Sequence, residues 1–161
     1  GDGTLRVTKT STSENSGTVS KFRCDNGYFS YVLGAVGNDY ADALDFPTED
    51  IKPGFVATFH NGVISKATRR NDPAALGIVS DTFSFKAGPE SKGAPIAVAG
   101  YALAYVDAVY GPGTRLTVSR HGALTYAFPW ERTLAVYVTR PSASTWNGVP
   151  VHGRTIVKVA A

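Results

Sequence analysis

Short runs in which apolar and polar residues alternate recur along most of the chain. In the first run, residues 4–9, Leu5 and Val7 alternate with polar neighbours, and this period of two is typical of a strand with one buried face. Comparable runs follow, separated by turns rich in Gly, Pro, Asn and Asp. The predicted strand regions are 4–9, 19–36 around a turn at 25–27, 55–60, 63–66, 76–80, 95–109, 115–118, 124–128, 133–138 and 155–159.

The residues between these runs indicate how the strands connect. Asn61-Gly62 separates two of them, and because Asn and Gly accept positive φ, this pair predicts a tight hairpin. Asp72-Pro73 predicts another turn. No segment has a sustained helical repeat, and only a single helical turn is expected, at 39–44. About ten to twelve short strands predict an all-β fold, either a short-stranded, barrel-like β-roll or a sandwich.

Composition agrees with this fold class and indicates one boundary. The chain has 17 Gly and 9 Pro beside many Val, Thr, Tyr and Phe, a mixture that favours short strands and tight turns. The kind of sequence changes near residue 38, from a ribbon of paired strands to regularly spaced turns. We therefore predict a β-ribbon extension at 1–38 and a β-rich domain at 39–161, which is long enough to form a core.

The distribution of charge and of apolar residues excludes two classes of partner. The formal net charge is +3 and the basic residues are scattered apart from Arg69-Arg70, so nothing predicts a surface that follows nucleic-acid phosphates. The most apolar run, 94–110, is interrupted by Gly100 and Asp107. It cannot supply the roughly 18 apolar residues of a membrane span, and no membrane insertion is predicted.

Metal and cofactor chemistry also lack support in the sequence. The three histidines lie in separate predicted turns without ligand spacing, so no zinc site is expected; they are His60, His121 and His152. No glycine-rich phosphate loop is present, and no cofactor is predicted. Cys24 is the single cysteine, which excludes a disulfide within the chain and fits assembly in a reducing cytosol.

One short stretch has the residues for chemistry. Asp39 and Asp42 are three residues apart, and in a helical turn they would share one face. Two crowded carboxyls cannot both ionise cheaply, so one would be a protonated acid beside a charged base. That pair suits hydrolysis of the Asn38–Asp39 peptide bond. The simpler interpretation is a helix N-cap and a solvated surface charge.

Three routes to breaking that bond stay open. In the first, Asp42 activates a water or shuttles the proton. In the second, the Asn38 side-chain nitrogen attacks its own carbonyl, closes a five-membered succinimide and expels the Asp39 amine. In the third, the Asp39 carboxylate attacks the preceding carbonyl through a six-membered ring.

With these residues in view, the chain resembles the self-cleaving C-terminal domains of phage neck-appendage and tail-fibre proteins, the G2 class of auto-processing peptidases. In that family the cut precedes the Asp of an Asp-Tyr-Ala-Glu pattern, usually after Ser. Asp39, Tyr40 and Ala41 match, whereas Asn38 replaces the Ser and Asp42 is one methylene shorter than Glu. The resemblance covers about residues 34 to 161 and also rests on segments 51–56, 70–73, 75–80, 95–100 and 111–116.

The resemblance implies a function in assembly. Such domains form homotrimers and act as intramolecular chaperones, here with single-turnover autoproteolysis at Asn38, Asp39 and Asp42. Residues 1–38 would be the end of a fibre stalk and 39–161 the C-terminal tip, assembled in the host cytoplasm and located in the virion. A compact end that trimerises first lowers the entropy cost of aligning three stalks.

A second hypothesis is a retained, non-catalytic head that binds a host-surface glycan or receptor. The aromatic residues of the second half of the chain would then form a stacking face for sugar rings, although aromatics also dominate cores and trimer interfaces. The candidates are Tyr101, Tyr105, Tyr110, Trp130, which follows Phe128-Pro129, and Trp146.

Overall fold

All regular structure in the described part of the chain is β. The computed structural model describes residues 18–24, 27–33, 39–88 and 93–160. Its strands are β1 (Thr18–Cys24), β2 (Gly27–Leu33), β3 (Asp39–Asp42), β4 (Val56–His60), β5 (Val63–Lys66), β6 (Ala75–Val79), β7 (Phe83–Ala87), β8 (Ile96–Ala104), β9 (Arg115–Val118), β10 (Leu124–Tyr126), β11 (Ala135–Thr139), β12 (Thr145–Trp146), β13 (Val149–Pro150) and β14 (Thr155–Val159). The predicted all-β class is confirmed.

The turn residues in the sequence predicted the positions of several strands correctly. β4 and β5 pair across Asn61-Gly62, whose φ angles of 51° and 80° are those of a tight hairpin turn. The turn at Asp72-Pro73 leads into β6 as expected. The strand predicted at 4–9 lies outside the described residues.

The helical turn expected at 39–44 is wrong. Residues Asp39–Asp42 form β3, which pairs in parallel with β7 and antiparallel with β8. Pairing with β7 and β8 on its two sides holds this segment in a strand. Because both partners lie far along the chain, the local sequence pattern could not predict the pairing.

The pair of strands predicted around the turn at 25–27 is present and continues the main sheet. β1 and β2 pair antiparallel from Thr18↔Leu33 to Cys24↔Gly27, and β2 then pairs with β7. β7 lies between β2 and β3 in the sheet. The division between residues 38 and 39 stays a prediction, since residues 34–38 lie outside the described part of the chain.

The sheet curls because two strands share one edge of β8. Along the opposite edge β8 pairs with β3, while on the shared edge Ile96 and Ala97 pair with β6 and residues 100–104 pair with β14. The sheet therefore splits near residues 98–99 into one branch of β6, β4 and β5 and another of β14, β11, β9 and β10.

The core lies between these branches, and its largest cluster is formed by apolar side chains from both. It contains Val56, Ala67, Ala75, Ile78, Ala97, Ala102, Ala104, Leu116, Val118, Leu124, Leu134, Ala135, Tyr137, Val157 and Val159. A second cluster, Ile51, Ala57, Ile64, Val79 and Ile96, fills the space beneath the β4–β5 hairpin. Burial of these side chains holds the two branches together.

Candidate functional site

Asp39 is the first residue of β3 and its side chain is buried. It lies opposite Gly100 of β8 and Phe83 of β7, close to the point where the sheet splits. Only 2% of the residue is exposed. A carboxyl group in such a place is removed from water, which makes its ionised form costly.

The segment between β6 and β7 supplies the contacts of this carboxyl. The Thr82 hydroxyl donates to Asp39 Oδ1 at 3.0 Å and lies 3.2 Å from the Ser80 hydroxyl oxygen. Ser80 Oγ in turn accepts the Thr82 N–H at 3.0 Å, and the Ser84 hydroxyl donates to the Asp39 carbonyl oxygen at 3.2 Å. Among the described residues, nothing hydrogen bonds to Asp39 Oδ2.

Burial raises the pKa of Asp39 from 3.8 to about 6. The Ser80 and Thr82 hydroxyls favour the charged form and partly offset burial, while the negative charge of Asp81 opposes ionisation. With a pKa near 6, roughly one-tenth of the molecules carry the protonated acid at pH 7. Asp39 can therefore donate a proton near neutral pH, as a general acid must.

The backbone N–H of Asp39 itself also favours the ionised carboxyl and lowers its pKa slightly against the effect of burial. That nitrogen is the one the Asn38–Asp39 bond would release. An acid placed beside a leaving nitrogen can protonate it as the bond breaks.

Asp42 does not form the predicted pair with Asp39. It is the last residue of β3 and is half-buried. In a strand, residues i and i+3 point to opposite faces and lie about 10 Å apart along the chain, so the shared face expected from a helical turn does not exist. The carboxylate that acts on the pKa of Asp39 is Asp81, which sequence reasoning had not connected with it.

Arg154 holds Asp81 in place, and with it the segment from Ser80 to Thr82 that contacts Asp39. Its Nη1 donates to Asp81 Oδ1 at 2.7 Å. The same guanidinium donates to the carbonyl oxygens of Pro150 and Val151 at 2.6 and 3.1 Å. Because Arg154 is buried, this network holds the chain from Ser80 to Thr82 against β3.

The other half of the predicted cleavage site is Asn38, which lies outside the described residues. Ser80, Thr82, Asp81 and Arg154 were missed as site residues. The only available signal was two hydroxyl residues flanking Asp81 directly after an apolar strand. That pattern does not reveal its partner, because Thr82 and Asp39 are 43 positions apart.

The histidines of the described chain occupy turns and strand ends, and one of them has a carboxylate partner. His60 Nε2 lies 2.9 Å from Asp72 Oδ2. Asp72 is buried and also accepts the Thr58 hydroxyl at 3.0 Å and the Ala74 N–H at 2.9 Å. Burial raises its pKa, but the hydrogen bonds from His60, Ala74 and Thr58 outweigh burial and lower it overall. This cluster anchors the turn before β6.

The described residues contain neither a metal-binding cluster nor a membrane-spanning helix. No group of three or more His, Cys, Asp or Glu among residues 18–24, 27–33, 39–88 and 93–160 could hold a metal ion. Within those same ranges, no helix is long and apolar enough to cross a membrane.

The candidate stacking aromatics separate into different places. Tyr105 packs against Phe55 with ring centroids 4.7 Å apart, and Tyr110 packs edge-on against the core residue Tyr137 at 6.0 Å. Trp146 lies in the small β12–β13 sheet. Phe128 and Trp130 stack on each other, 5.2 Å apart with an interplanar angle of 6°.

Comparison with known protein families, characterised proteins and solved structures gives no match to this chain.

Proposed function

We propose that this chain is the trimerising assembly domain of a phage tail-fibre or appendage protein, and that it cuts itself between Asn38 and Asp39. The proposal combines the resemblance around Asp39-Tyr40-Ala41 with one structural observation. That observation is the buried Asp39 carboxyl, held through Oδ1 by Thr82, with Oδ2 unpartnered among the described residues and a pKa of about 6.

In the proposed reaction Asp39 acts as the general acid. Its carboxylic proton moves to the Asp39 backbone nitrogen while the bond from that nitrogen to the Asn38 carbonyl carbon breaks. The nucleophile is either a water or the Asn38 side-chain nitrogen, and the proton that the nucleophile loses returns to the Asp39 carboxylate. Attack by Asn38 leaves a succinimide on the first fragment, which is one water lighter than the product of hydrolysis.

This assignment gives Asp39 a role that does not need Asp42. Burial by itself raises the pKa of Asp39 enough to keep part of the carboxyl protonated near neutral pH. The sequence had suggested crowding by Asp42 as the cause of the raised pKa. Attack by the Asp39 carboxyl itself stays open as a third route, since one of its oxygens can attack the Asn38 carbonyl carbon while the other gives its proton to the leaving nitrogen, and water then opens the resulting anhydride.

The assembly part of the proposal concerns the order of folding. A compact β-domain that trimerises early brings three stalks into register before their long-range contacts form. Cleavage afterwards breaks the covalent link between the stalk and the domain that aligned it. The stalk is then kinetically trapped in its assembled form.

Native mass spectrometry of the freshly made protein tests the assembly role. We expect a homotrimer of the 17.0 kDa chain, in which cut fragments stay associated. A monomer at every concentration up to the solubility limit would refute trimerisation, whether or not the chain is cut.

A further inference from the structure

The two oxygens of the Asp39 carboxyl have different surroundings. The Thr82 hydroxyl donates to Oδ1 at 3.0 Å, and Ser80 Oγ lies 3.2 Å from Thr82 Oγ1. Ser80 and Thr82 are buried, with exposed fractions of 3% and 4%. Among the described residues, nothing hydrogen bonds to Oδ2 of Asp39. A buried polar atom without a partner is uncommon and is often found where a protein carries out chemistry.

The hydrogen bonds between Ser80 and Thr82 favour one direction of donation. Ser80 Oγ accepts the Thr82 N–H at 3.0 Å, and each hydroxyl has a single hydrogen to donate. When Ser80 donates to Thr82 and Thr82 donates to Asp39, both hydrogens have an acceptor. If the Thr82 hydroxyl turned to Ser80 instead, the Ser80 hydrogen would lose this acceptor in a buried place, which is costly.

This direction of donation determines which oxygen of the neutral acid carries the proton. A protonated carboxyl has one hydrogen, on one of its two oxygens. The oxygen without the hydrogen is the better acceptor, and Oδ1 is the oxygen that accepts from Thr82. The proton of the neutral acid is therefore on Oδ2.

The same hydroxyls stabilise the carboxylate that remains when the proton has left. A carboxylate shares its charge between both oxygens, so a hydrogen bond to Oδ1 favours it even when the proton leaves from Oδ2. The pKa of Asp39 is raised to about 6 mainly by burial, and the Ser80 and Thr82 hydroxyls lower it against that effect. The two hydroxyls thus make Asp39 a stronger acid than burial alone would allow.

The charged groups near Asp39 do not distinguish its two oxygens in this way. Asp81 opposes ionisation through its negative charge, and Arg154 is paired with Asp81 at 2.7 Å. The other titratable residues of β3 and of the strands paired with it are Tyr40, Asp42, Lys86 and Tyr101. The contact that differs between the two oxygens is the hydroxyl of Thr82.

We infer that Thr82 is a positioning residue for self-cleavage, because its hydroxyl occupies Asp39 Oδ1 and leaves the reacting proton on Oδ2. This role rests on the proposed function. As the nucleophile bonds to the Asn38 carbonyl carbon, the C–N bond breaks and its electron pair stays on the Asp39 nitrogen. That pair takes the proton from Oδ2 and gives the free amine, while the electrons of the O–H bond stay on the carboxylate. The placement of the proton is the same whichever nucleophile attacks.

The pH dependence of cutting separates this role from a merely structural one. Intact mass of the freshly made full-length chain gives the rate constant of cutting between pH 5 and 8.5. Because a general acid must be protonated, the rate constant of the parent should be highest below about pH 6 and fall above it. Thr82→Val should move this midpoint upward by about half a pH unit or more and lower the rate on its acid side at least about threefold. Thr82→Ser should restore both.

Ser84→Ala is the matched control. The Ser84 hydroxyl donates to the backbone carbonyl oxygen of Asp39 at 3.2 Å and not to its carboxyl, so this variant should keep the midpoint of the parent. If Thr82→Val does not fold, Ser80→Ala takes its place, since it removes the donor to Thr82 and should shift the midpoint in the same direction.

Two kinds of failure can be told apart. A parent chain that is never cut at any pH refutes the proposed function and the role of Thr82 with it. A parent chain that is cut, with an unchanged midpoint in the variant that lacks the hydroxyl, overturns the role of Thr82 alone. The same holds if Thr82→Ser behaves like Thr82→Val, because the hydroxyl is then not what matters.

Discussion

Replacing Asp39 with Asn should stabilise the protein by about 2 to 3 kcal/mol at pH 7.5 and have little effect on stability below pH 4. The pKa of this carboxyl is about 6 in the folded protein, against 3.8 for the unperturbed group. The folded state therefore holds its proton more tightly than the unfolded state, and the stability of the parent chain falls as pH rises from about 4 to about 6. Asn has no charge to desolvate and can still accept from Thr82.

Urea unfolding of the freshly made, uncut parent chain and of Asp39→Asn at pH 4.5, 6 and 7.5 measures this difference. The stabilisation should grow with pH across that range. Thr82→Val is a useful companion, because it removes the donor to Asp39 Oδ1 and should raise the pKa of Asp39 further. A difference between parent and Asp39→Asn that does not change with pH would show that the carboxyl is not desolvated.

Replacing Asp72 with Ala should destabilise the protein by about 3 kcal/mol. Three donors converge on this buried carboxylate, from the Thr58 hydroxyl, the Ala74 N–H and the His60 ring. Thr58 is itself buried, so its hydroxyl would be left without this partner. The folded-state pKa of Asp72 is lowered, so its stabilising contribution is present above the unfolded-state pKa and is lost as pH falls through the folded-state value.

The midpoint of urea unfolding at pH 7 reports this loss. Asp50→Ala provides the comparison, because Asp50 is an exposed loop residue and its removal should change stability by less than about 0.5 kcal/mol. If the two substitutions cost the same, the hydrogen bonds around Asp72 contribute nothing measurable.

Features of the fold that depend on neighbouring residues were predictable from the sequence. Asn61-Gly62 requires positive φ at both positions and produced the expected β4–β5 hairpin. β3 was not predictable in this way, because its strand character comes from β7 and β8, whose residues lie about forty or more positions away. β7 was overlooked although Phe83, Phe85 and Ala87 alternate with polar residues in the sequence.

In the candidate site too, the local motif was predictable from the sequence, whereas the contacts between distant segments were not. The sequence identified Asp39, because Asp-Tyr-Ala is a local motif. It gave the wrong reason for a raised pKa: the carboxyl is buried beneath the Ser80–Thr82 segment, and the nearby charge is Asp81 instead of Asp42. Burial and contacts between distant segments arise only when the sheet curls, so spacing along the chain could not reveal them.

The intact mass of the freshly made protein, followed under denaturing conditions over several days at neutral pH, tests self-cleavage most directly. We expect two fragments, residues 1–38 and 39–161, from the parent chain, and an uncut chain from Asp39→Asn. Asp42→Ala should still be cut, because Asp42 lies outside the Asp39 site. A single mass near 17.0 kDa that never changes in the parent would contradict self-cleavage, and equal cutting in Asp39→Asn would contradict the role of Asp39 as general acid.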